Sequence, residues 1–202
     1  RRLHKSKTPS LLFKLDIRKA FNTVKWEYLL DLLQQRGFPS KFRDWIAALL
    51  SSSSSRIILH GIVGDPIKHG QGLRQGDPVS PLLFVIAIDP LQRILDVATR
   101  KGILHKIRGR GAMMRTSLYA DDATVFLAPI KSDVDNLADI LRGFGEVTGL
   151  CTNFHKSSFV PIRCNHLDLG CLAQRLPAVK TSFPLRYLGL PLSVWQLKLV
   201  DL

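Results

Sequence analysis

Three aspartates are the residues here whose surroundings call for chemistry. Asp16 sits inside an apolar run, Leu15-Asp16-Ile17, and Asp121 and Asp122 stand side by side between two apolar stretches. A carboxylate embedded in apolar chain is costly unless a cation compensates it, and adjacent carboxylates repel one another. Divalent cations resolve both problems. Hard Mg²⁺ favours carboxylate oxygens and keeps its other positions for water and substrate phosphates. If the segment around Asp16 lies beside residues 121–122, the three acids can share two ions about 3.5–4 Å apart, the separation of two-metal phosphoryl-transfer sites. One ion would then lower the pKa of an attacking hydroxyl, and the other would hold a leaving pyrophosphate. An Asp-Asp pair also suits an ordinary turn or helix cap. It is Asp16, placed within a strand, that favours chemistry.

The elements that must position these acids follow from periodicity. Residues 11–17 (LLFKLDI) form a short apolar run, interrupted by Lys14 and Asp16, and predict a buried strand. Helical spacing follows at 26–36, closed by Gly37. A second helix is expected at 41–50, burying Phe42, Trp45, Ile46 and Leu49. Ser51 to Ser55 resemble a linker too short to separate domains, and residues 56–60 predict a strand. A glycine-dense loop at 70–76 leads into an apolar helix over 79–98. Residues 117–119 and 124–127 read as a hairpin with carboxylates at its tip. An amphipathic helix is expected at 133–147, where Asp133, Asp135 and Asp139 suit the helix dipole. Extended stretches at 157–162 and 183–192 complete the order. Helices alternate with strands but hairpins are present too, so the pattern favours an α+β fold over a parallel doubly wound sheet.

Composition sets the class of partner. The 202 residues are 46% hydrophobic and 22% charged, enough for a buried core. Lys and Arg number 29 against 16 acids, a net +13 that suggests a polyanionic partner. The excess is concentrated in Arg1, Arg2, Lys5, Lys7, Lys14, Arg18 and Lys19, and again in Arg100, Lys101, Lys106, Arg108, Arg110 and Arg115. Taken alone, such blocks are ordinary solvated surface. Cys151, Cys164 and Cys171, with His155 and His166 nearby, give neither a disulfide framework nor a zinc-ligand spacing. Thiols held in a reducing compartment are the expectation. The longest apolar stretch, 81–88, is too short to span a bilayer, so no membrane partner is expected and an intracellular location follows.

Five motifs then carry a resemblance. Phe13-Lys14-Leu15-Asp16 running into Lys19-Ala20-Phe21 resembles the first palm motif of reverse transcriptases. Gly72-Leu73-Arg74-Gln75-Gly76-Asp77-Pro78-Val79-Ser80-Pro81 resembles the second, in the form typical of LINE-type (non-LTR) retroelements. Tyr119-Ala120-Asp121-Asp122 is similar to the third, residues 149–156 to the fourth, and Tyr187-Leu188-Gly189-Leu190-Pro191-Leu192 to the fifth. They occur in the family's order from residue 11 to 192, and the wording is most like retroelement polymerases abundant in plant genomes.

The resemblance implies a polymerase palm, an antiparallel sheet packed against helices, with fingers and thumb largely missing. Residues 1–202 are then one partial domain with no second domain. It implies an RNA-directed DNA polymerase using two Mg²⁺ or Mn²⁺ ions, an RNA template, a DNA primer and deoxynucleotides. It also implies action in the nucleus if the primer is chromosomal. Asp16 and Asp121 match the principal metal ligands, and Asp122 the second acid, whose metal contact is less direct. Phe21 matches the aromatic gate beneath the incoming sugar; without the family it is a core residue at a helix start. Gln75 and Gly76 match the segment over the nucleotide and template base, with an ordinary turn as the plainer account. Arg74 beside them is expected to reach a nucleotide phosphate, with a structural ion pair as the plainer account. Lys156 matches a candidate general acid for pyrophosphate, and otherwise a surface lysine. Leu188 and Gly189 match the hairpin that grips the primer end, and otherwise an edge hairpin. Asn22 departs from the family's usual aspartate after Ala-Phe. That departure and the missing fingers define the alternative: a non-catalytic retroelement remnant that at most binds nucleic acid.

Overall fold

The computed structural model describes residues 9–107, 115–119, 122–164 and 167–193, and the backbone alone of Cys171. Arg1, Arg2, Lys5, Lys7, Arg108, Arg110, Ala120, Asp121 and His166 lie outside the described residues.

The alternation in residues 11–17 becomes strand β1 (Ser10–Asp16), and β1 is the middle of the sheet. On one side it pairs antiparallel with β7 (Asp122–Leu127), which pairs in turn with β6 (Thr116–Tyr119). On the other side it pairs antiparallel with β8 (Ser158–Ile162), and β9 (Val179–Lys180) adds a parallel edge. The strand order is β6-β7-β1-β8-β9.

One face of this sheet is roofed by helices. They are α1 (Ala20–Thr23), α2 (Trp26–Gln35), α3 (Ser40–Ser51), α4 (Ser80–Arg100) and α5 (Lys131–Thr148). Leu11, Phe13 and Leu15 of β1 enter the main core with Leu29 and Leu33 of α2, Phe84 and Leu91 of α4, and Leu137 and Leu141 of α5. Phe13 stacks on Phe159 of β8 with ring centroids 5.4 Å apart. The opposite face carries a second, smaller cluster: Leu12, Val160 and Ile162, flanked by Phe126, Phe183 and Leu185. No helix of the described residues is long and apolar enough to cross a membrane.

Several expectations are corrected. In α3 only Ile46 and Leu50 are buried, while Leu49 is half-buried and Trp45 is 62% exposed beneath the Lys41 ammonium. Helical spacing identifies a face, but the neighbouring elements decide how much of it is covered. The serine run does not link anything: it finishes α3 and forms β2 (Ser54–Ser55), paired with β5 (Ile67–Lys68). The strand expected at 56–60 is one arm of a hairpin, β3 (Ile58–Leu59) and β4 (Ile62–Val63), turned by His60 and Gly61, both at positive φ. The stretch at 183–192 is likewise a hairpin, β10 (Leu185–Tyr187) and β11 (Leu190–Leu192). A short helix, α6 (Leu169–Leu172), precedes β9. Asp133 does more than favour the α5 dipole: its buried carboxylate accepts the backbone N–H of His105 at 3.1 Å and contacts His105 Nδ1 at 2.8 Å. It thereby ties the chain after α4 to the start of α5.

Candidate active site

Period-2 alternation along β1 sends Leu11, Phe13 and Leu15 into the helical core and leaves Leu12, Lys14 and Asp16 on the open face. The antiparallel register then places Asp16 directly opposite Asp122. Directly opposed side chains share a face with Cβ atoms about 4.5–5.5 Å apart, so two carboxylates meet where like charges repel. Asp122 is part of β7 and pairs across with Tyr119, so it belongs to the strand and not to the hairpin tip expected from the sequence. Asp121 lies outside the described residues.

Charge compensation differs between the two acids. Lys14 Nζ stands 3.3 Å from Asp122 Oδ1. Among the described residues Asp16 has no ion-pair partner, although it is half-buried and faces another acid. Hard oxygen donors in that state fit a divalent cation. Among the described residues, no three metal-ligating side chains cluster.

The end of β1 is held by residues 149–157. Asp16 donates its N–H to Ser157 Oγ at 3.0 Å, the Ser157 hydroxyl donates to the Asn153 carbonyl at 2.8 Å, and Asn153 N–H donates to the Asp16 carbonyl at 2.7 Å. A bridge between Ile17 and Thr152 continues the pairing. Lys156 is exposed on this loop, next in sequence to Ser157. Gly149 closes α5 at φ 83, where a Cβ would sit 1.8 Å from the Thr23 carbonyl oxygen, so only glycine fits.

A second wall comes from α1 and residues 70–76. Phe21 is half-buried and stacks on Phe84 with centroids 4.7 Å apart. Its carbonyl accepts Leu73 N–H at 2.6 Å, while Gly72 N–H donates to the Val24 carbonyl at 2.8 Å and Trp26 Nε1 donates to the Gly72 carbonyl at 2.6 Å. Gly72 has φ 88, and a Cβ there would lie 2.7 Å from the Asn22 carbonyl oxygen. The loop is therefore welded to α1. Beside it opens a groove of about 660 Å³ lined by Asn22, Ser53, His69, Arg74 and Gln75 among others. Arg74 and Gln75 are exposed there, and Arg74 donates to Ser52 Oγ at 3.2 Å. Gly76, at φ 88, has open space where a side chain would be. Asp77 Oδ1 accepts Val79 N–H at 2.7 Å and turns the chain into α4.

The hairpin β10–β11 sits on the open face beside the acids. Leu188 and Gly189 form its two-residue turn at φ 52 and 75, the left-handed pair that a tight hairpin requires. Phe183 and Leu185 pack on the Leu12 cluster. Lys14 Nζ donates to the Arg186 carbonyl at 3.1 Å, and Ser117 Oγ lies 2.9 Å from the Tyr187 hydroxyl. The structure thus brings Asp16, Asp122 and the 185–192 hairpin together on one face. Phe21, Arg74, Gln75 and Gly76 belong to the α1 and 70–76 wall. The sequence reading missed the roles of Lys14, Ser157, Ser117 and Tyr187; only the placement of Lys14 two residues before Asp16 signalled that it would share the open face.

The second basic block is also divided. Arg100, Lys101 and Lys106 are exposed. Arg115 is buried and donates to the carbonyls of His105 and Phe126, so it braces β7 and is not a phosphate contact. Burial lowers its pKa, against the opposing pull of Asp133 and Asp96. Of the thiols, Cys151 is exposed and Cys164 buried, where desolvation raises its pKa.

Comparison with known proteins agrees with this geometry. Residues 1–192 match the reverse transcriptase (RNA-dependent DNA polymerase) family. The retrovirus-related Pol polyprotein of the type-2 retrotransposable element R2DM of Drosophila melanogaster is 25% identical over 94% of this chain and 18% of its own length. The corresponding polyprotein of a type-1 element R2 of Nasonia vitripennis is 35% identical over 77% of this chain and 14% of its own. A 149 kDa protein of transposon TX1 from Xenopus laevis is 28% identical over 74% of this chain and 11% of its own. The chain thus spans less than a fifth of the length of these relatives. Among solved structures, apo telomerase from Candida Tropicalis, truncated from its C-terminal domain, superposes with a TM-score of 0.58 at 11% identity. That match covers 83% of this chain and 33% of the telomerase chain, and it shows a shared fold. The α+β sheet roofed by helices is a polymerase palm, and the chain belongs to the reverse transcriptase family as a LINE-type (non-LTR) reverse transcriptase domain.

Proposed function

We propose that this domain extends a DNA primer on an RNA template, joining deoxynucleotides at the open face of its sheet. The observation that carries the reading is the register of Asp16 opposite Asp122 on the open face, beside the 185–192 hairpin. Asp16 and Asp121 are the principal ligands for Mg²⁺ or Mn²⁺, and Asp122 is the second acid. When bound, such ions neutralise the acids and triphosphate and ease deprotonation of the primer hydroxyl.

The chain's own residues then divide the remaining work. Phe21, fixed by stacking on Phe84, sets the floor under the incoming sugar, where a 2′-hydroxyl would clash. Arg74, Gln75 and Gly76 line the approach of nucleotide and template base, and the bare Gly76 backbone allows close approach. The Leu188-Gly189 turn holds the primer end. The primer 3′-oxygen forms a bond to the α-phosphorus as the bond from that phosphorus to the bridging oxygen breaks. Lys156 supplies a proton to the departing pyrophosphate. The exposed cations Arg18, Lys19, Arg100, Lys101 and Lys106 contact phosphates of the duplex. Where the primer is chromosomal DNA, the site of action is the nucleus.

Primer extension on an RNA template with Mg²⁺ or Mn²⁺ tests this, run beside an Asp121→Asn Asp122→Asn chain. Metal-dependent addition that the variant abolishes is the expected result. A folded chain that binds primer–template and adds nothing would overturn it and leave a nucleic-acid-binding domain without chemistry.

A further inference from the structure

A two-stranded hairpin is marginal on its own in water, and β10–β11 has only three residues in each strand. Its position therefore depends on what docks it. Phe183 and Leu185 anchor its entry on the apolar Leu12 cluster. The two polar anchors lie further along: Ser117 Oγ against the Tyr187 hydroxyl, and Lys14 Nζ against the Arg186 carbonyl. The Lys14 ammonium is shared, since it also stands 3.3 Å from Asp122. An ammonium has three donors and can serve both acceptors at once.

The geometry points to Lys14 as a positioning residue that clamps the fifth-motif hairpin to the acid-bearing strand, so that the primer-end grip and Asp122 keep one spacing. This rests on the polymerase reading for the meaning of the grip, but the clamp itself is independent of it. It also gives the two opposed acids separate duties. Asp122 has a standing counter-ion and orients through it, whereas Asp16 is left for the divalent ion. A plain surface ion pair would be worth little and would leave the hairpin indifferent to its loss. The shared ammonium predicts otherwise, because removing it severs a hairpin contact as well as a charge pair.

The test is amide hydrogen exchange on the full 202-residue chain, wild type against Lys14→Met and Lys14→Arg. Lys14→Met keeps the apolar stem and loses both contacts. Exchange at residues 185–192 should rise about tenfold, the size expected for a lost charge-assisted hydrogen bond. Residues 131–148 of α5 serve as the internal control and should be unchanged. Lys14→Arg keeps a cation of similar reach and should restore protection. In the extension assay, Lys14→Met should raise the primer KM by a larger factor than it lowers kcat. Wild-type exchange at 185–192 in Lys14→Met overturns the clamp, as does loss of protection that Lys14→Arg fails to restore. If Lys14→Met unfolds throughout, Lys14→Leu, which also lacks a donor, replaces it and the same two outcomes decide. Exchange needs no catalysis, so a wild-type chain that fails to extend primer sinks the polymerase reading and leaves the clamp result standing.

Discussion

Strand β1 has two faces built for different ends. Toward the helices it presents Leu11, Phe13 and Leu15, continued by Ile17, all buried in one apolar core. Toward the open side it presents Leu12, then Lys14, then Asp16, a gradient from apolar to charged over five residues. The inner face holds the fold together and carries no charge. The outer face gives up apolar burial at one end to place two carboxylates opposite each other, which costs stability unless a cation intervenes. A strand shifted by one residue would exchange these faces, so the same register secures the core and assembles the acids. On the proposed function, substitutions along this single strand should therefore separate stability from chemistry.

The largest break in that comparison is predicted for Phe13→Ala on the inner face. Phe13 is fully buried and stacked on Phe159, so its truncation should cost about 3–5 kcal/mol in urea unfolding. Activity should be lost only because the fold is. Gly72→Ala should come next, at about 1–3 kcal/mol, since it combines a positive φ with a clash against the Asn22 carbonyl. Urea unfolding measures this cost, and primer extension should fall with it because the α1 wall shifts.

Phe21→Val sharpens the division differently. Phe21 is half-buried, so the fold should survive. Single-nucleotide incorporation should show ribonucleotide use rising relative to deoxynucleotide use by about tenfold or more, the range set by removing a close steric contact. Unchanged discrimination would return Phe21 to the core.

The smallest effect is electrostatic and far from the open face. Asp89 of α4 is bonded by Arg36 and Arg93, and the Arg36 contact holds its carboxyl below the usual carboxylate range. Because the folded pKa is the lower one, the stabilisation is fully present above the unfolded carboxylate pKa. It is lost as pH falls through the folded value. Urea midpoints of Asp89→Asn should fall below wild type at neutral pH and converge with it in acid.

Much of this was legible in the sequence. Local periodicity located β1, α2, α4 and α5, and the five motifs indicated the palm. Chain-local signals could not supply long-range facts. The bond from Asp16 to Ser157 spans 141 residues, and nothing near either residue announces it. Trp45 has the spacing of a core residue but is left 62% exposed. Arg115 sits in a basic block yet is drawn inward by two carbonyls. Lys14 looked like one cation among many until the register set it between Asp122 and Arg186.

The central claim is that the acids of the open face serve chemistry and not the fold. Asp16→Asn tests it most directly, by measuring Mg²⁺-dependent deoxynucleotide incorporation and urea unfolding on the same preparation. The account predicts incorporation reduced by at least about a thousandfold, the scale of losing a group that acts in the transition state, with the urea midpoint unchanged or raised by relief of the Asp122 repulsion. Incorporation that persists in Asp16→Asn, or that disappears only together with the folded state, would contradict it.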